Sequence, residues 1–266
     1  MPTSDFTIHE KDGFRYIDEG PPSDLPPVVL LHGMLGDLSN WTNTIAFLAE
    51  QQYRVLVPVL PVYEMPIKQT SVRGLATYLF GFSRTLDLDQ ITLVGNSLGG
   101  QVALLFALHH QDLVAALVLS GSSGLYEAEL GSSTPRRRDR EYIRERAALT
   151  FYDPVHATDD LVEEMFGIIN NRAQVARLIR MARSTKEETV RSRLSKIEIP
   201  TLLVWGRNDL ITPPEVAEEF RDHISQAELH FIEECGHAPM IEQPEQFNYI
   251  MLDFLRERIG TETVAL

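Results

Sequence analysis

Gly95-Asn96-Ser97-Leu98-Gly99-Gly100 is the stretch that decides how this chain is read. It follows the apolar run Ile91 to Val94 directly and opens an apolar helical pattern, Gly99 to His110. A strand that turns this abruptly into a helix forces the serine into a strained backbone conformation. Small residues two before and two after it avoid clashes, and its hydroxyl stands exposed above the strand ends. The bare Gly-x-Ser-x-Gly pattern arises by chance in roughly one chain in ten of this length. The strand before it and the helix after it therefore carry the weight.

Outward from this elbow, strands and helices alternate. Val28-Val29-Leu30-Leu31, behind the proline-rich stretch Pro21 to Pro27, is short and apolar, with a β-branched start. That is the signature of a strand buried on both faces. Arg54 to Val57, Ala116 to Leu119, Thr201 to Trp205 and Glu228 to Ile232 read the same way. Helical patterns run over Trp41 to Gln51, Val72 to Arg84, Glu215 to His223 and Glu245 to Arg258. Prolines sit at or just before the last two helices, where a missing amide donor costs least. Phe6 to His9 and Phe14 to Asp18 flank Asp12-Gly13, a dipeptide suited to a tight hairpin. The expected fold class is α/β, a mostly parallel sheet with helices on both faces.

After Gly124 the rhythm breaks. Residues 125–195 offer no strand but three helical patterns, Arg136 to Leu149, Asp160 to Asn170 and Arg172 to Ser184. Leu161, Met165, Ile168 and Ile169 share one face of the second. Val175, Leu178, Ile179 and Met181 or Ala182 share one of the third. A stretch of this length is too long for a loop. It reads as a helical cap, 125–195, inserted into a core formed by 1–124 and 196–266. Open parallel sheets bind ligands outside the carboxyl ends of their strands, where such a cap would sit.

A serine hydroxyl needs a positioned base, and the base needs a carboxylate to hold its tautomer. Of the eight histidines, His237 fits best, because it follows the last strand in Cys235-Gly236-His237-Ala238-Pro239. The others fall in a hairpin, in a strand, at helix ends or in the cap. His32, immediately after a buried strand, reads as a structural histidine bonded to the loop backbone. Asp209 follows the strand Thr201 to Trp205. The rival position, after the preceding strand, holds Ser120-Gly121-Ser122-Ser123 and no carboxylate. An oxyanion needs two donors already in place. These are the backbone N–H of Leu98 and that of Met34 in His32-Gly33-Met34-Leu35-Gly36, with Leu35 as second choice.

Composition narrows the partners. Lys+Arg 24 against Asp+Glu 38 give a net charge of −14, which repels nucleic-acid phosphates and anionic lipid surfaces. The lone Cys235 excludes an internal disulfide framework and any multi-cysteine metal site. The start, Met-Pro-Thr-Ser-Asp-Phe, shows no secretory leader, and no apolar run approaches the ~20 residues needed to span a bilayer. A cytoplasmic protein is expected, with no partner beyond a small-molecule substrate; the oligomeric state is not legible.

Together, Leu31-His32-Gly33, Gly95 to Gly100, Trp205 to Asp209 and Gly236 to Pro239 resemble the α/β-hydrolase superfamily, over nearly the whole chain. The order Ser97, Asp209, His237 is that superfamily's nucleophile–acid–base order. The resemblance implies a capped serine hydrolase without metal or organic cofactor, cleaving small or medium carboxylic esters through an acyl-enzyme. Leu35, Leu161, Met165 and Ile168 are its candidate substrate contacts. An alternative is the carbon–carbon bond hydrolase of the meta-cleavage product type, whose elbow also reads Gly-Asn-Ser. That family places a tryptophan shortly after its histidine, whereas Ala238-Pro239-Met240 stands here. Another is a ligand-binding protein on a hydrolase fold, although all three triad members are kept. Dehalogenases and epoxide hydrolases of this fold use an aspartate nucleophile, which Ser97 argues against. Many capped members carry Asp-x-Pro-Gly-x-Gly where this chain has Pro58-Val59-Leu60-Pro61-Val62-Tyr63. Arg136-Arg137-Arg138 reads as a solvated helix start rather than a carboxylate clamp, and Glu163-Glu164 as a solvated face rather than an amine site.

Overall fold

The computed structural model describes residues 6–128 and 136–260. The first five residues of the stretch read for a leader, and 129–135 of the insertion, lie outside the described residues. The strands are β1 (Ile8–Lys11), β2 (Phe14–Glu19), β3 (Val28–Leu31), β4 (Val55–Pro58), β5 (Ile91–Asn96), β6 (Val114–Ser120), β7 (Thr201–Gly206) and β8 (Ala227–Ile232). They form one sheet in the order β1-β2-β4-β3-β5-β6-β7-β8. The β1–β2 and β2–β4 pairings are antiparallel and the remainder parallel. Asp12 and Gly13 both take positive φ, 49° and 83°, the twist that a two-residue hairpin needs.

Two-residue alternation sends the apolar strands into two cores. Val28, Leu30, Val55, Val57, Val94 and Val118 face α1 (Thr42–Glu50) and α9 (Pro244–Arg258) through Ile45, Leu48, Phe247 and Met251. Val29, Leu31, Leu56, Leu93, Leu117 and Leu203 face α2 (Val72–Thr85), α3 (Leu98–His109) and α7 (Pro214–His223) through Leu75, Leu79, Val102, Phe106 and Phe220. Each such side chain, fully buried, contributes roughly 1.5–3 kcal/mol of transfer free energy. Residues Leu98 to Ala107 of α3 are all buried, so the helix after the elbow runs through the interior. Strand β5 outlasts the apolar run Ile91 to Val94 by two residues. Gly95 pairs with Leu31 and Leu119, and Asn96 with Ser120, which carries the ladder to the elbow itself.

Between β6 and β7 lie α4 (Arg140–Ala148), α5 (Asp159–Asn170) and α6 (Arg172–Glu187). Their starts are set by side-chain caps. Asp139 accepts from the amides of Glu141 and Tyr142, and Thr158 from that of Leu161. These caps move the first helix four residues past the sequence expectation and start the second one residue before it. On α6, Met181 is buried but Ile179 is 64% exposed, so the face grouping that included Ile179 is corrected. The buried residues of this helix are Met181, Ser184 and Thr185, three and four apart, and 179 falls outside that row.

Candidate active site

The elbow is built by close backbone approach. A Cβ at Gly95 would fall 2.5 Å from the Gly100 amide, and one at Gly99 2.2 Å from the Leu31 carbonyl oxygen. No side chain fits at either position. Ser97 sits between them at φ 55°, ψ −118°, a conformation that costs of order 1–3 kcal/mol. The neighbours over-determine it: its amide donates to Ser120 O at 3.0 Å, and its carbonyl accepts from Gln101 N at 3.2 Å and Ser123 N at 3.1 Å. Among residues 91–100, Ser97 alone is not buried.

His237 and Asp209 meet on the loops after β8 and β7. The His237 Nδ1–H donates to Asp209 Oδ2 at 2.8 Å, with both side chains almost wholly buried. Asp209 accepts three further bonds: its Oδ1 from the amides of Ile211 (2.8 Å) and Thr212 (2.9 Å), its Oδ2 from the Thr212 hydroxyl (2.8 Å). The imidazole is fixed through its backbone as well. His237 N donates to Thr150 O at 2.7 Å, and the Asn96 amide group donates to His237 O at 2.9 Å and Ser120 O at 3.0 Å. A Cβ at Gly121 would sit 2.8 Å from Nδ1, so the loop after β6 packs against the ring and could not carry a side chain there. Burial alone would lower the His237 pKa. The charge of Asp209 and its hydrogen bond outweigh that, Glu127 and Glu242 add to them, and the net direction is upward. Among the described residues Nε2 is buried without a hydrogen-bond partner, Ser97 Oγ included.

The loop after β3 supplies amides. His32 Nδ1–H donates to Gly33 O at 2.8 Å, and Gly36 N donates to the same oxygen at 3.3 Å. The Gly33–Met34 peptide is thus held by its carbonyl, and planarity turns the Met34 N–H the opposite way. Burial lowers the His32 pKa and keeps it neutral for this bond; it is the structural histidine that its place after a strand suggests. Neither the Met34 nor the Leu98 amide has a protein acceptor among the described residues, and the Leu98 amide lies in the unpaired first turn of α3. Sequence reasoning missed Tyr63, whose hydroxyl donates to Met34 O at 2.6 Å. The segment that departs from Asp-x-Pro-Gly-x-Gly is what brings it there. Thr212, Asn96 and Glu242 were missed too; the Asp-x-x-Thr spacing at 209–212 was the one available signal.

The remaining candidates are scattered. Leu161 and Met165 are partly buried against the core group that contains Phe151 and Ala147. Ile168 is buried, and Leu35 is half-exposed in the Met34 loop. Arg136 to Arg138 are exposed. Glu163 pairs with Arg140. Glu164, although open to solvent on one side, has its carboxyl pushed up to about 7 by partial dehydration and by the charge of Asp37. The same Glu164 charge acts on Tyr63, whose hydroxyl bonds the Met34 loop. Cys235 is buried, and its thiol is pushed far up by burial and by Glu242, so it is no nucleophile.

Comparison with known proteins agrees with this geometry. The family model described as the alpha/beta hydrolase fold matches residues 26–244. A 2-hydroxy-6-oxo-6-(2'-aminophenyl)hexa-2,4-dienoic acid hydrolase of Metapseudomonas resinovorans is 31% identical, over 94% of this chain and 90% of its own. A human monoacylglycerol lipase is 24% identical, over 97% and 83%. Among solved structures, an alpha/beta hydrolase from the sediment metagenome of the Mar Chica lagoon, Morocco, shares 33% identity with TM-score 0.78, covering 95% of this chain and 99% of its own. A match that spans both the elbow and the His237 loop leaves one conclusion: the chain belongs to the alpha/beta hydrolase family.

Proposed function

We propose that this hydrolase cleaves neutral carboxylic esters of small or medium acyl chain through an acyl-enzyme. The observation that carries the reading is the buried His237–Asp209 pair, Nδ1 to Oδ2 at 2.8 Å, whose loop the side chain of Asn96, next to the strained Ser97, holds at 2.9 Å. In this reading Nε2 takes the Ser97 proton as Oγ attacks the carbonyl carbon. The Met34 and Leu98 amides receive the developing oxyanion. His237 then gives its proton to the departing alcohol, and water, activated by the same nitrogen, releases the acid and restores Ser97. Asp209 orients the ring and stabilises its charged form. The helices between β6 and β7 act as the cap, with Leu35, Leu161, Met165 and Ile168 toward the acyl chain. The work is done in the cytoplasm and requires no metal or organic cofactor.

Charge favours a neutral substrate. Among the described residues the charged groups that act on His237 are the carboxylates Asp209, Glu127 and Glu242, and Glu164, its carboxyl at about 7 beside the charge of Asp37, adds negative charge as pH rises through neutrality. An anionic substrate would be repelled here. The second reading, carbon–carbon bond hydrolysis, is favoured by relatives whose names specify dienoic acid substrates. A turnover panel of neutral esters and vinylogous diketone acids, run on wild type and Ser97→Ala, tests both. Ester turnover that Ser97→Ala abolishes, with loss of fluorophosphonate labelling, is the expected result. Retained turnover in the variant refutes Ser97 as nucleophile, and preferential cleavage of the diketone acids refutes the ester reading.

A further inference from the structure

Five residues beyond His237, at the end of the short helix α8 (Pro239–Glu242), stands a carboxylate that the acyl-transfer steps do not use. Glu242 is half-buried, and its two oxygens bond two distant segments. Oε1 accepts from the Gly236 amide at 2.8 Å; Oε2 accepts from the Tyr152 amide at 2.6 Å and the Asp153 amide at 3.4 Å. Gly236 immediately precedes the candidate base. Tyr152 and Asp153 belong to the first connection of the helical insertion, after α4. The two backbones touch: a Cβ at Gly236 would lie 2.7 Å from Thr150 O and 2.8 Å from Tyr152 N. His237 N adds its own bond to Thr150 O at 2.7 Å.

A carboxylate is the group that suits this place. Three amides point at it from two segments, and only an acceptor at both ends can serve them all. A glutamine there would present an NH2 to one set of N–H groups and leave those donors unpaired. We infer that Glu242 is a positioning residue for His237, clamping the base's loop to the root of the helical insertion. The inference rests on the reading of His237 as the base. It makes the insertion part of the catalytic alignment as well as a roof. The charged groups that face the imidazole are Asp209 from the loop after β7, Glu127 from the segment after β6 and Glu242 from α8, while His156 faces Glu242 from the insertion.

The test compares Glu242→Gln, Glu242→Asp and His237→Ala with wild type. The readouts are kcat and KM on one neutral ester, the pH–rate profile, and circular dichroism to establish folding. Displacement of a catalytic group by ~1 Å costs about 10²-fold. Glu242→Gln is expected to lose kcat on that scale with little change in KM, and to move the acid limb to lower pH because a negative charge near His237 is gone. Glu242→Asp keeps the charge but lacks the reach. It is expected to lose kcat while its acid limb stays in place, and it serves as the reporter if the glutamine variant does not fold. Wild-type kcat and an unmoved limb in a folded Glu242→Gln, or wild-type kcat in Glu242→Asp, would overturn the inference while leaving His237 as the base. Retained turnover in His237→Ala would overturn both.

Discussion

Replacing Asp209 by Asn separates the geometry of the acid from its charge. Asp209 Oδ1 is committed to the amides of Ile211 and Thr212, at 2.8 and 2.9 Å. Those backbone donors cannot turn away, so the single acceptor oxygen of an asparagine stays with them. Its NH2 then faces His237 Nδ1 and the Thr212 hydroxyl. The hydroxyl can rotate to accept, and Nδ1 must accept as well. That drives the imidazole proton onto Nε2, the atom that has to receive the Ser97 proton. A wrong tautomer in this role lowers turnover by ~10⁴, or about 5.5 kcal/mol of transition-state stabilisation. Stability should fall far less, by about 1–3 kcal/mol for one charge-assisted hydrogen bond. The assay is single-turnover acylation with a chromogenic acetate ester, with thermal unfolding alongside. Acylation within tenfold of wild type in a folded Asp209→Asn would refute the assignment of Asp209 as the group that sets the tautomer.

Further outcomes follow from the same geometry. The raised His237 pKa puts the acid limb of kcat/KM above the unperturbed ~6.5: below the folded value the ring is protonated and cannot act as base, so activity rises with pH through it. A profile flat across that range with chemistry rate-limiting contradicts the base. Because its carboxyl lies at about 7, Glu164→Gln should improve the relative kcat/KM for carboxylate-bearing substrates roughly fivefold, about 1 kcal/mol, well above pH 7 and not well below it. An equal ratio at both pH values removes Glu164 from the electrostatics of the site. Alanine at Leu161, Met165 or Ile168 should shift the preference between short and long acyl esters by ~1–3 kcal/mol. A fall in Tm with a constant preference in all three would make them anchors of the insertion alone.

The parts of this molecule legible in the sequence are those whose signal is local. The elbow glycines, the apolar runs of β3, β5, β6 and β7, and the placement of Asp209 and His237 just past strands all depend on neighbours along the chain. Strand ends were not legible: Gly95 and Asn96 have no strand propensity and are held in the ladder by Leu31, Leu119 and Ser120. Nor were the residues that fix the site from afar. Glu242 bonds amides 90 positions away, Asn96 reaches the His237 carbonyl, and Tyr63 reaches the Met34 loop. Each meets a backbone group, and backbone groups leave no trace in side-chain pattern. Ile179 misled because an apolar residue at the edge of a helical stripe looks like part of it.

The strand order has a consequence for how the molecule comes into being. The proposed nucleophile, Ser97, follows β5 in the middle of the sheet, while the proposed acid and base follow β7 and β8 at one edge, after the whole helical insertion. During synthesis the elbow can close long before the chain that carries Asp209 and His237 has emerged. In the proposed triad, a half-made molecule therefore bears a serine with no base to take its proton. On the proposed reading, hydrolysis switches on only when the last strand has docked, so activity doubles as a report that the sheet has folded to its far edge.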